Sequence, residues 1–233
     1  MNIGNIKNKS KKITPSKPPK KTLTCIPMLT EISDIKELKK KSELSNLYKL
    51  ICDNINMDKE IRPELDFEEY DRTTLASFDW RRGKIYFNIN NLENLNKKKT
   101  ILAIRHELEH AKQFQNIMRK LGLKRFAKLI LIKNENWQEF DDCLLDDINA
   151  EYYKKVERKL GKIPPESAEN IIVQKYIDAF KCYPNGNAII QRPDISPFKK
   201  ILLSLKCFIQ YKTNLLEKDA NKAAKKFFKT FLK

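Results

Sequence analysis

An α+β fold is predicted for this chain, with a small antiparallel sheet followed by a mainly helical C-terminal half. Three observations carry that expectation. Between about residues 65 and 89, aromatic and apolar residues alternate loosely and break at a glycine. From Lys97 to Leu121 apolar residues recur at helical spacing, and most of the chain beyond keeps that spacing. A hydrophobic fraction of 41% with only five glycines in 233 residues also fits a folded, helix-rich protein.

The elements follow in order. Residues 1–29 are rich in Lys, Asn, Ser and Pro, and Pro15, Pro18, Pro19 and Pro27 interrupt any helix, so a flexible basic arm is expected there. Ile32, Ile35, Leu38, Leu44, Leu47, Tyr48, Ile51 and Ile55 then mark one long helix or two short ones between Thr30 and Asn56. Strands are expected at Leu65–Tyr70, Thr74–Trp80 and Lys84–Ile89, with Gly83 at the bend of a hairpin and the last strand offering an open edge. The helix at Lys97–Leu121 is the best supported, with Thr100 near its start, Gly122 beyond its end, and Ile101, Leu102, Ile104, Leu108, Ala111, Phe114, Ile117 and Met118 on its buried side. After an apolar stretch at Phe126–Ile132, a helix is expected from Trp137 to Leu160, stopped by Gly161. Pro164-Pro165-Glu166 opens another, reaching Phe180. Residues 183–233 read as a loop and a basic helical hairpin, whose second stripe is Leu216, Ala220, Ala223, Phe227 and Phe231. The expected organisation is thus an arm at 1–29, a main folded domain at 30–182 and a hairpin at 183–233.

The net charge of +17 is concentrated at the ends. Residues 1–22 contribute +7 and residues 199–233 contribute +8, leaving the body near neutral. That distribution favours a catalytic body with adhesive ends over a basic groove built for nucleic acid, while leaving an anionic membrane surface or nucleic acid as partners for the tails. The five cysteines are scattered and form no CxxC pair, which suggests a reducing compartment. With no signal peptide or membrane-spanning run in evidence, a cytoplasmic location is expected, export by a signal-independent route aside.

Both histidines of the chain lie in His106-Glu107-Leu108-Glu109-His110. On a helix, positions i and i+4 share a face, so the two imidazoles can reach one metal ion, with Glu107 beside it as a base. Catalytic zinc takes three protein ligands and keeps one position for water. No third histidine exists, so a carboxylate from another element must complete the set. The helix expected at Trp137–Leu160 offers Glu139, Asp141, Asp142, Asp146, Asp147 and Glu151.

Arg105-His106-Glu107-Leu108-Glu109-His110-Ala111 with Gln113, followed by Asp147-Ile148-Asn149-Ala150-Glu151, resembles the zincin metallopeptidases whose third ligand is a glutamate (gluzincin-like). The resemblance covers about residues 65–160. It implies Zn2+ as the metal, Glu151 as the third ligand with Asp147 and Asp146 as rivals, and Asp147 as a group that orients a ligand. It departs from the family after the ligand, where Tyr152, Tyr153, Lys154 and Lys155 stand in place of an Asp. The implied activity is hydrolysis of peptide bonds in a protein or peptide substrate, through a metal-activated water with Glu107 as general base. Tyr152, Tyr153, Tyr176 and Tyr183 are candidates to stabilise the oxyanion. Two other classes of function fit the same residues: a peptidase-like regulatory or binding protein with a structural or vestigial metal site, and an anionic-surface-binding protein that uses its basic tails.

Overall fold

The computed structural model describes residues 41–69, 74–90, 96–132, 148–182 and 209–231. Expectations for the arm at 1–29, the start of the first helix, residues 137–147 of the Trp137–Leu160 segment, the loop from Tyr183 and the first arm of the hairpin fall outside them.

Helix α1, Lys41–Asn54, buries Leu44, Leu47, Tyr48, Ile51 and Cys52, the i, i+3, i+4 stripe of an amphipathic helix. A single 3-10 turn at Lys59–Ile61 follows, its start satisfied by the Asp58 carboxylate, which accepts from the Glu60 N–H. Three strands come next: β1 at Glu64–Glu68, β2 at Ala76–Asp79 and β3 at Lys84–Asn88.

These strands form a mixed sheet in the order β1-β3-β2, with β1 parallel and β2 antiparallel to β3. Two expectations change here. The sheet is not wholly antiparallel, and β3 offers no open edge because it is the central strand. Burial supplies the reason: Ile85, Tyr86, Phe87 and Asn88 are all buried, whereas β1 alternates its apolar residues with Glu64, Asp66 and Glu68, as suits an edge. The β2–β3 turn closes at Gly83, whose φ of 66° is in the left-handed region and whose N–H donates to the Asp79 carbonyl at 2.8 Å.

Helix α2, Lys97–Leu121, runs through the middle of the molecule. Asn96 caps it by accepting from the N–H groups of Lys98 and Lys99, and Gly122 ends it with an N–H bond to the Met118 carbonyl at 2.7 Å. Around it pack α1, β2, and four further helices: α3 (Leu123–Ile132), α4 (Ala150–Leu160), α5 (Ala168–Lys181) and α6 (Leu215–Phe231). Phe114 of α2 contacts Phe78, Trp80 and Phe180, tying the hairpin and α5 to this axis.

Helix α4 begins at Ala150, later than the expected Trp137. Asn149 both caps it, accepting from the Tyr152 N–H, and pins it to the hairpin turn by donating to the carbonyls of Arg81 and Arg82. Helix α5 is capped by Ser167, so Pro164 and Pro165 precede the helix. Helix α6 follows a helical stretch at 209–213 and buries Leu216, Ala220, Ala224 and Phe227. Leu216 and Phe227 belong to the same hydrophobic core as α1 and α2, so this helix is part of the packed body. Among the described residues no helix is long and apolar enough to cross a membrane.

Candidate metal centre

The α2 helix places His106 and His110 one turn apart with their rings edge to face, centroids 4.6 Å apart, and their Nε2 atoms facing each other at 3.0 Å. Helix α6 brings Glu217 across this pair. Its carboxylate oxygens stand 3.2 Å from His106 Nε2 and 3.3 Å from His110 Nε2, and its side chain is only 2% exposed. Two imidazoles and one carboxylate thus converge, with their donor atoms all within 4.8 Å of one another.

Hydrogen bonding determines what these atoms present to one another. Gln113 donates from Nε2 to the Leu216 carbonyl at 3.1 Å, so its Oε1 faces His110 Nδ1, 2.9 Å away. An amide oxygen only accepts, so Nδ1 carries the hydrogen and neutral His110 turns a lone pair on Nε2 toward the Glu217 carboxylate. Lone pair against carboxylate in a nearly closed site is unfavourable unless a cation lies between. A proton is one such cation. Burial opposes charging His110, but the bond to Glu217 and the nearby Glu107 outweigh it and push its pKa up to about 8. A divalent metal is the other. Donors at about 2.0–2.2 Å around a tetrahedral zinc lie roughly 3.3 Å from one another. The two Nε2 atoms, 3.0 Å apart, are close to that spacing. Glu217 presents a different oxygen to each ring, Oε2 at 3.2 Å from His106 and Oε1 at 3.3 Å from His110, and one donor atom from each of the three side chains lies within 4.8 Å of the others.

Glu107 stands beside the group rather than within it. One oxygen accepts from the Phe78 N–H at 2.8 Å, and the other lies 4.0 Å from His106 Nε2. Desolvation raises its pKa, with both histidines and the Phe78 N–H pulling the other way. Because Leu75 and Asp79 direct their carbonyls at β3 or its turn, the alternation of a strand turns the N–H of Phe78 outward. The edge of the sheet that borders the site is therefore β2.

Glu151, the expected third ligand, is elsewhere. It sits in the first turn of α4 with a side chain 78% exposed, and its carboxylate pairs with Lys155 at 2.7 Å, which lowers its pKa. The place expected of it is taken by Glu217. Asp146 and Asp147 lie outside the described residues, and Gln113 performs the orienting role expected of Asp147. Of the tyrosines, Tyr152 and Tyr153 spend their hydroxyls in the core, on the carbonyls of Ile61 and Trp80 respectively. Tyr176 donates to Asp219 at 3.0 Å, and Tyr183 lies outside the described residues. A signal for Glu217 does exist in the sequence: it falls three residues before Ala220 and seven before Ala224, on the buried stripe of α6, where an unpaired carboxylate is costly.

No protein-family model, curated protein or solved structure matches this chain.

Proposed function

We propose that the protein is a metal-dependent hydrolase of the peptidase type, with His106, His110 and Glu217 holding a divalent ion and Glu107 as general base. The observation that carries this reading is the carboxylate of Glu217 lying within 3.3 Å of both imidazoles of the HExxH helix. Two nitrogens and one oxygen suit Zn2+, a borderline ion that accepts both donor types, and three protein ligands leave a fourth position open. Zinc so held supplies a Lewis acid that brings the pKa of water toward about 7 and polarises a carbonyl.

The chain's own groups supply the rest. Gln113 holds His110 in the tautomer that presents Nε2, so no reorganisation is needed when the ion arrives. Glu107 is anchored to β2 through the Phe78 N–H, which keeps its carboxylate beside the ligand group. Burial raises its proton affinity, which helps a base that must take a proton before returning it to a leaving amine. The outward edge of β2 offers backbone groups against which an extended substrate can align.

The test is metal content and hydrolysis of a broad quenched-peptide mixture by wild-type protein and the Glu107→Gln variant. Retained zinc with hydrolysis reduced by roughly a hundred- to ten-thousand-fold is expected. Undiminished hydrolysis by Glu107→Gln would remove the mechanism.

A further inference from the structure

A groove of about 960 Å³ opens beside the candidate metal centre, with His106 and Glu217 in its wall. Its lining includes Lys212, Lys218, Lys222, Lys225, Lys226 and Lys229, and among the described residues Glu217 is its only acidic member. Lys218, Lys222, Lys225 and Lys229 follow the i, i+4, i+7, i+11 spacing of one helical face. Neighbours on such a face stand about 6 Å apart, inside the roughly 8 Å over which physiological salt screens charge, so the ammonium groups repel one another. None of Lys218, Lys222, Lys225, Lys226 and Lys229 has an ion-pair partner among the described residues.

We infer that this groove binds an acidic peptide segment and delivers it to the metal centre, so that substrates carry Asp or Glu on one side of the scissile bond. The inference rests on the hydrolase reading of the same site. From Lys218 to Lys229 the stripe extends about 16 Å, which matches roughly five residues of extended chain. It starts next to Glu217, so the acidic stretch begins close to the reacting bond and runs toward the C-terminal end of α6. A membrane surface fits less well, because the apolar residues of α6 that an interfacial helix would insert into lipid are buried in the core. Single-stranded nucleic acid fits less well too, since binding it relies on several stacking aromatics and, among the described residues, Tyr211 is the one Phe, Tyr or Trp in the lining.

The test uses the full chain loaded with zinc. In the Glu107→Gln background, fluorescein-labelled octaglutamate should bind at least about ten-fold tighter than octaglutamine at low salt, by anisotropy. Reversing Lys222, Lys225 and Lys226 to Glu should weaken it at least about ten-fold and the same three changed to Gln should weaken it less, with equal zinc content showing that the site is intact. Equal binding of the two peptides, or no effect of either triple variant, overturns the inference. So does tighter binding to oligothymidylate or to phosphatidylserine-containing vesicles that the same variants abolish. Quenched peptides differing only in Glu or Gln beside the cleavage point separate the two readings in the wild type. Octaglutamate binding without turnover of any peptide defeats the hydrolase and keeps the groove, whereas turnover without preference for Glu defeats the groove and keeps the hydrolase.

Discussion

Glu151 and Glu217 both stand in the first turn of a helix, α4 and α6 respectively, and their fates differ completely. The first is a solvated carboxylate satisfied by Lys155 one turn along its own helix. The second is enclosed between α6 and α2 and faces two imidazoles. Local sequence treats the two alike, since a carboxylate near a helix N-terminus is favoured by the helix dipole in either place. Packing separates them. Asn149 fixes α4 to the hairpin turn and leaves the Glu151 face outward, whereas Leu216, Ala220 and Phe227 turn the Glu217 face of α6 into the core.

The sharpest way to break this contrast is to remove each carboxylate in turn. Glu217→Ala should lower zinc affinity by roughly a hundred- to a thousand-fold, about one ligand's share of a site worth 10–16 kcal/mol, while Glu151→Ala leaves it unchanged. Metal-chelator competition measures both, and the reverse order would return the third ligand to α4. A smaller effect is expected at Gln113, which bonds His110 Nδ1 and the Leu216 carbonyl and is not itself one of the three converging donors. Gln113→Leu should cost about 10- to 100-fold in zinc affinity, read by the same competition. If affinity is unchanged, the His110 tautomer is set by something else.

Helix α4 should matter to stability instead. A Cβ on Gly83 would be driven into the Tyr152 ring, at a position where φ is 66°. Gly83→Ala should therefore destabilise the protein by about 2–4 kcal/mol, seen as a lower denaturation midpoint, with zinc affinity preserved. The least effect concerns pH. His110 in the metal-free protein has its pKa raised from 6.5 to about 8, so its stabilising contribution is complete below about 6.5 and is lost as pH rises through about 8. Chelator-treated protein should lose on the order of 2 kcal/mol across that window, and zinc-loaded protein should not share the loss, since metal replaces the proton. Parallel thermal melts at pH 6 and 9 check this.

Much of the architecture was legible from residue patterns. The α2 helix occupies the expected Lys97–Leu121, and its buried face carries the expected apolar residues except Leu102, which is only half-buried. The three strands fall inside or beside the expected segments, and Gly83 makes the bend. Sheet order was not legible, because period-2 alternation states which residues share a face and not which strand is the neighbour. Ile85, Tyr86 and Phe87 in succession did carry a hint of a strand covered on both sides. The lysines of the C-terminal segment were counted as charge on an appendage. Six of them instead line one groove beside His106, a placement decided by which face of α6 meets α2.

Two imidazoles one turn apart and a carboxylate between them are properties of a helix, so short-range geometry placed His106, Glu107 and His110 side by side from sequence alone. The same short range explains the caps at Asn96 and Gly122, whose side chain or φ acts within a turn of the backbone. Glu217 lies more than a hundred residues from His110, and no local rule connects them. Only the burial of the apolar stripe of α6 against α2 brings that carboxylate to the histidines, because hydrophobic contact is non-directional and its partners are chosen by the whole core.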